Sequence, residues 1–293
     1  MVFSSGVFLL LFLPIILAVY YNPCIKSRQF RNMWLLFASV IFYAWGEPAF
    51  IVVMLISIVI NWLAALLIDN CKEQFNKKFC LALILIFDIG VLFICKYVDF
   101  TIENINIVLH CSIPKVGMTL PIGISFYTLS AIGYMTDVYW GKVKAEYSLV
   151  KTALFLGFFP IIVEGPICRW EDVESTLFKN ESVKAANVFK GSYRIIWGLF
   201  KKMIIADRLA VLVDKVYVGY ESYSGAVIVA AAISYTIQLY MEFSGCMDMV
   251  IGSAGLFGIR LPENFSQPFF AKTCTDFWKR WHITLGVWFK NYI

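Results

Sequence analysis

The chain has 293 residues, of which 60% are hydrophobic and only 15% charged, and its mean hydropathy is +0.74. Soluble domains carry about a quarter of their residues as Asp, Glu, Lys and Arg, so a water-soluble fold of this size cannot cover so much apolar surface, and the same figures exclude disordered, collagen-like and disulfide-scaffold classes. The net charge of +5 is dispersed over short loops, which offers no basic patch to nucleic acid and orients the chain in a bilayer instead.

A spanning helix needs about 20 mostly apolar residues. Residues 2–21 meet this without a charge and lack the basic lead and small-residue cleavage site of a secretory leader, so they read as a retained helix. Residues 33–45 are apolar but short; residues 49–68 span without a charge. Residues 79–95 qualify if Asp88 finds a partner or faces the interior, and residues 118–136 form a slightly shorter uncharged stretch. Residues 152–163 and 249–259 are short enough to be tilted, broken or re-entrant. The apolar run 195–213 is interrupted by Lys201, Lys202, Asp207 and Arg208, which suits a helix in the interface or packed inside the protein. Residues 222–241 give another uncharged span.

Basic residues in the short loops set the orientation. Loop 22–32 has Lys26, Arg28 and Arg31; loop 69–78 has Lys72, Lys77 and Lys78; loop 137–151 has Lys142, Lys144 and Lys151. Between them lie Gly46-Glu47-Pro48, with none, and a loop with Lys96 and Lys115. Five crossings then place the N-terminus outside, and beyond residue 150 the short segments give no count. No internal repeat or low-complexity linker divides residues 1–293, so a single polytopic transmembrane domain is expected. The eight cysteines form no C-x-x-C and no Cys/His cluster; they read as packing residues, with no metal site.

Ionisable groups at bilayer depth are costly and often mark function. Glu164 closes the apolar run FFPIIVEGPICRW, either as a cavity group paired with Arg169 or as an interfacial residue where Gly-Pro ends a helix. The stretch YTIQLYMEFSGCMDMVIG carries Gln238, Glu242, Ser244 and Asp248. Its Ser244-Gly245 pair could break a helix and line a polar cavity, while the carboxylates could equally pair with neighbouring helices. The segment FWKRWHITLGVWFKNYI holds His282, one of only two histidines. On a continuous helix, Trp278, His282, Leu285 and Phe289 share one face, which fits either an imidazole held in an apolar setting or an aromatic belt with basic anchors. There is no P-loop, no G-x-S-x-G and no metal-binding histidine pair. From the residues alone, an enzyme using an imidazole base and a transporter using carboxylates stand level.

A series of motifs runs in one order along nearly the whole chain: MVFSSGVFLLLFLPIILAVYY, RNMWLLFASVIFYAWGEPAF, LPIGISFYTLSAIGYMTDVYWG, FFPIIVEGPICRW, GLFKKMIIADRLA, YTIQLYMEFSGCMDMVIGSAGLFGIRLPENFSQPFF and DFWKRWHITLGVWFKNYI. In these the chain resembles the membrane-bound O-acyltransferase family, specifically its bacterial alginate O-acetyltransferase branch. The resemblance implies an all-α fold: a polytopic transmembrane bundle whose tilted, short and re-entrant helices surround a central tunnel. It implies transfer of an acyl group, usually acetyl, from a thioester such as acetyl-CoA to hydroxyls of an extracytoplasmic polysaccharide, with no bound cofactor. The setting it implies is the bacterial cytoplasmic membrane, with a hydrolase-like extracytoplasmic protein as a frequent partner and no nucleic acid.

On the matching motifs, His282 corresponds to the upstream of two functional family histidines, in the W-H-I motif. Glu164, Arg169, Glu242, Asp248, Asn264, Trp278, Arg280 and Trp281 become tunnel or substrate candidates. The downstream histidine, the family's main base, lies past Ile293, so the chain is expected to be the N-terminal part of a longer protein and inactive alone. The family's F-D-F-S-G-Y-S-D-M-A-I-G reads MEFSGCMDMVIG here: Glu242 and Asp248 keep the acidic positions, whereas Cys246 and Met247 replace an aromatic residue and a serine. The alternatives are D-alanyl transfer to teichoic acid on the same fold, and a polysaccharide transporter or export component using Glu164, Glu242 and Asp248.

Overall fold

The computed structural model describes residues 1–24, 27–178 and 184–293; Lys26, counted above in loop 22–32, lies outside them. The described chain is helical. A π-helical stretch, Phe8–Phe12, runs into α1 (Leu13–Tyr20). There follow α2 (Arg28–Gly46), α3 (Ile51–Asn70), α4 (Gln74–Leu109) and α5 (Ile124–Tyr139). Next come α6 (Leu149–Gly157), α7 (Phe159–Ile162) and α8 (Trp170–Leu177). Then α9 (Ala185–Leu199) passes through a second π-helical stretch, Phe200–Ala206, into α10 (Asp207–Val218). Last are α11 (Gly225–Leu256), α12 (Cys274–Trp278) and α13 (Ile283–Tyr292). Among the described residues there is no strand, only an antiparallel bridge between Phe265 and Trp281. Among the described residues three helices, α3, α4 and α11, are long and apolar enough to cross a membrane.

Several expected segments change length for local reasons. The first apolar run is helical over residues 6–20, because the Ser5 hydroxyl accepts the Phe8 N–H and sets the helix start. The run 118–136 stays irregular until Gly123, whose φ of 78° belongs to the left-handed region. A Cβ there would sit 1.9 Å from the Ile162 carbonyl oxygen, so the close approach demands glycine. In the other direction, the short run 33–45 extends to Arg28–Gly46, with Ser27 capping its start by accepting the Phe30 N–H. Residues 249–259 are mostly absorbed into α11.

The described residues form two compact units. One takes in residues 1–24, 164–166 and 184–287; the other takes in residues 27–163, 167–178 and 288–293. In the second unit α3, α4, α5 and α6 pack together. Asp88 is buried there and accepts a 2.9 Å hydrogen bond from Asn61 Nδ2, the partner that a carboxylate inside an apolar helix requires. Residues 152–163 are broken at Phe158, and the Phe159 N–H released by that break donates to Ser39 Oγ at 3.0 Å. The Trp288 indole donates to the Leu129 carbonyl at 2.8 Å, and the Tyr292 hydroxyl donates to Asp137 at 2.7 Å.

In the first unit α9, its π-helical continuation and α10 lie along α11. The contact runs on small residues: Gly191 against Gly252 and Gly198 against Gly245. Small residues let helix backbones approach where lipid supplies no hydrophobic drive. The expected break at Ser244-Gly245 does not occur; α11 is continuous there, and Gly245 is spent on contact with α9. At the far end of α11, the Tyr21 hydroxyl donates to the Leu256 carbonyl at 2.6 Å and Tyr20 meets Phe257 edge-on.

Candidate functional site

The W-H-I segment is not one helix. Thr273 caps α12 by accepting the Asp276 N–H at 3.1 Å, and α12 ends at Trp278. His282 has a left-handed backbone (φ 47°), and α13 starts one residue later. The expected shared face of Trp278, His282, Leu285 and Phe289 is therefore lost: Trp278 is 64% exposed on a different helix from Leu285 and Phe289. The reason is a competing set of backbone bonds from the loop after α11. Ser266 N–H donates to the Arg280 carbonyl and Ile283 N–H to the Asn264 carbonyl, both at 3.0 Å, flanking the Phe265–Trp281 bridge. The loop residues Asn264–Ser266 thus act as a template that holds Arg280–Ile283 between the two helices, with Trp281 bridged to Phe265.

Aromatic packing fixes the surroundings. Trp281 stacks on Phe277 and meets Phe265 edge-on at 5.1 Å, while Phe243 of α11 meets the His282 ring edge-on at 5.1 Å. Arg280 turns back to Asp276 at 2.9 Å, and that hydrogen bond holds the Asp276 carboxyl below its ordinary pKa. His282, which lies outside the three spanning helices, has its pKa pushed below the ordinary 6.5 by burial, against a smaller opposing backbone hydrogen bond. Asn264 is 1% exposed, and its Oδ1 lies 3.1 Å from His282 Nδ1, 3.1 Å from Thr284 N and 3.0 Å from Thr284 Oγ1.

Asn264 also lines a polar cleft of about 460 Å³ together with Arg194, Lys201, Tyr240, Ser244 and Asp248. Asp248 is the anionic centre: Arg194 Nε binds one oxygen at 3.0 Å and Lys201 Nζ the other at 2.7 Å. Arg194 reaches on to Glu263 through both terminal nitrogens. Next to this, Lys202 bridges Glu242 at 2.5 Å and Asp207 at 3.1 Å. Lys201 and Lys202 both reach α11 from the π-helical stretch. The carboxylates of MEFSGCMDMVIG are thus paired with a neighbouring helix, one of the two alternatives open from sequence.

Of the other candidates, Glu164 accepts a 2.9 Å contact from Cys246 Sγ. Arg169 belongs to the second unit and pairs with Glu171 and Asp172, the acidic residues two and three positions on. Sequence reading missed Arg194, Thr284 and Phe243. Thr284 carries a signal in retrospect, as a hydroxyl two residues from the histidine, whereas Arg194 has none short of the contact between α9 and α11. Among the described residues, no three His, Cys, Asp or Glu side chains are grouped to hold a metal ion.

The whole chain aligns at 37% identity with 56% of the probable alginate O-acetylase AlgI of Pseudomonas aeruginosa. It aligns at 32% identity with 61% of the peptidoglycan O-acetyltransferase of Helicobacter pylori. A more distant match, 29% over 59% of this chain, is to the teichoic acid D-alanyltransferase of Bacillus subtilis. The chain therefore spans little more than half the length of the first two relatives. Residues 142–293 match the membrane-bound O-acyltransferase family profile. On that match, which covers W-H-I, the cleft and its ion pairs, the chain belongs to the membrane-bound O-acyltransferase family.

Proposed function

We propose that this chain belongs to an O-acyltransferase that moves an acetyl group from a thioester donor to hydroxyls of an extracytoplasmic polysaccharide. The observation that carries the reading is His282: an imidazole kept neutral by burial and held by Asn264, itself a wall of a polar cleft. The acceptor oxygen attacks the thioester carbonyl, a C–O bond forms and the C–S bond breaks. The hydroxyl proton passes to a neutral imidazole and on to the departing sulfur. Family resemblance assigns that base to a histidine downstream of Ile293, with His282 as its partner in the same reaction. Acetyl-CoA is the proposed donor and a hydrolase-like extracytoplasmic protein the proposed partner. The Lys and Arg of loops 22–32, 69–78 and 137–151 support a multi-pass membrane protein with its N-terminus outside, and the family resemblance points to the bacterial cytoplasmic membrane.

The test is transfer of labelled acetyl from a thioester to soluble polysaccharide by the full-length protein in detergent. An enzyme works without sealed compartments, whereas a transporter gives no ester, so absence of product even with the extracytoplasmic partner supplied would sink the reading. His282→Ala should lower ester formation roughly 10²-fold or more if the imidazole handles the proton, and less if it only positions substrate. The D-alanyltransferase match over 59% of the chain favours one second reading, D-alanine as the group carried; offering both donors to the same preparation separates the two.

A further inference from the structure

We infer that Asn264 is a positioning residue that fixes the proton of neutral His282 on Nδ1 and leaves the lone pair on Nε2. The amide orientation of Asn264 follows from its neighbours. Thr284 N–H lies 3.1 Å from one terminal atom of the Asn264 side chain, and a backbone N–H can only donate. That atom must be the oxygen. The other terminal atom, the NH2, then faces the Met247 thioether at 3.3 Å, a weak acceptor, so both ends are consistent.

His282 Nδ1 lies 3.1 Å from this same oxygen. An imidazole nitrogen carrying a lone pair would face the lone pairs of Oδ1, so Nδ1 must carry hydrogen and donate. In a neutral ring that assigns the lone pair to Nε2. Three donors then converge on Oδ1: His282 Nδ1–H, Thr284 N–H and the Thr284 hydroxyl. Asn264 is 1% exposed, so water is no competitor for the oxygen. Its main chain is tied to the same segment by the Ile283 N–H bond to its carbonyl, which sets the ring's distance as well as its protonation. The left-handed backbone at His282 (φ 47°) is the conformation in which the ring and Thr284 N–H meet this one oxygen. For the chemistry, Nε2 is the atom through which His282 accepts a proton or hydrogen bond from a substrate hydroxyl; that consequence rests on the proposed acyl transfer, while the tautomer does not.

The experiment is 15N NMR of the full-length protein labelled at histidine in lipid nanodiscs at neutral pH. The His282 signals are identified by their loss in His282→Gln. The expected pattern is protonated Nδ1 and unprotonated Nε2, and the reverse pattern overturns the inference. In Asn264→Leu the preference for Nδ1–H should disappear and transfer should fall roughly 10–100-fold, by analogy with loss of the hydrogen-bond partner that orients a metal-ligating histidine. In Asn264→Asp, which keeps an acceptor oxygen, Nδ1–H should persist with much of the transfer. An unaltered Nδ1–H signal in Asn264→Leu would show that another group sets the tautomer and would overturn the assignment to Asn264. Full transfer by His282→Gln with the expected NMR pattern would remove His282 from the reaction and leave the tautomer standing.

Discussion

The carbonyl oxygen of Gly245 lies 2.5 Å from where a Cβ at Gly198 would stand, so the backbones of α9 and α11 meet with no room for any side chain at residue 198. Met249 closes the same space at 2.8 Å. Gly198→Ala should therefore cost about 1–3 kcal/mol through forced separation of the helices, read as a lower melting temperature in size-exclusion assays of the detergent-solubilised protein. Gly90, in the interior of α4, has no atom within 4 Å of a Cβ. Gly90→Ala should be neutral or stabilising by roughly 0.5–1 kcal/mol, and equal effects at the two sites would contradict the contact.

A second expectation concerns Asp88 and Asn61. One oxygen of Asp88 accepts from Asn61 Nδ2, while Asp88 Oδ2 and Asn61 Oδ1 are both buried without a hydrogen-bond partner. Unmade hydrogen bonds of buried groups cost about 1–3 kcal/mol each. An amide at residue 88 keeps the shape and brings N–H groups that a carboxylate lacks. Asp88→Asn should thus equal or exceed the wild-type melting temperature, whereas Asp88→Ala, which strands Asn61 Nδ2, should lower it. A destabilised Asp88→Asn would show that the charge itself is required.

The ion pairs on α11 should differ in weight. Asp248 binds both Arg194 and Lys201 with its side chain 12% exposed, while Glu242 binds Lys202 with 46% exposed. Removing one member of a buried pair costs about 3–5 kcal/mol, and an exposed pair contributes about 0–1 kcal/mol. Asp248→Ala should sharply reduce the protein recovered from membranes, and Glu242→Gln should leave recovery unchanged. The opposite ranking would argue that Glu242 holds the helices together.

The pH dependence follows from His282. Its pKa lies below 6.5, so the neutral ring persists as pH falls through 6.5 and is lost only at lower values. Where His282 in its neutral form limits transfer by the full-length protein, the acidic limb of the rate should fall below pH 6.5. A limb centred above 6.5 that vanishes in His282→Gln would contradict the burial of the ring.

Apolar length and scarcity of charge were sufficient to locate three spanning helices at residues 49–68, 79–95 and 222–241, though the latter two are longer than those runs. They were not sufficient for residues 2–21 and 118–136, where the helix is shorter than the apolar run. Periodicity failed at W-H-I. A helical spacing of four, three and four read His282 onto a face with Trp278, yet hydrogen bonds from Asn264 and Ser266, some eighteen residues upstream, override that local preference. Ser244-Gly245 misled in the opposite sense. A polar-glycine pair suggests a broken helix, but glycine also serves close helix contact, and only the presence of Gly198 on a facing helix decides between the two. The importance of Asn264 was visible only through the family motif, since a lone Asn in PENF carries no spacing signal of its own.

The π-helical stretch Phe200–Ala206 holds one residue more per turn than its flanks. On α9 the buried Gly191 and Gly198 stand seven apart, and on α10 Val213 stands seven beyond Ala206, but Gly198 and Ala206 are eight apart. Two α-helical turns hold about seven residues, so the surplus is absorbed where Lys201 and Lys202 emerge. Shortening this stretch by one residue would leave an ordinary α-helix with its buried stripe still in phase, while Lys201 and Lys202, which sit inside the stretch, would change direction. A one-residue deletion at Met203–Ile204 should therefore spare the packing of α9 and α10 and take away the aim of the lysines at Asp248 and Glu242.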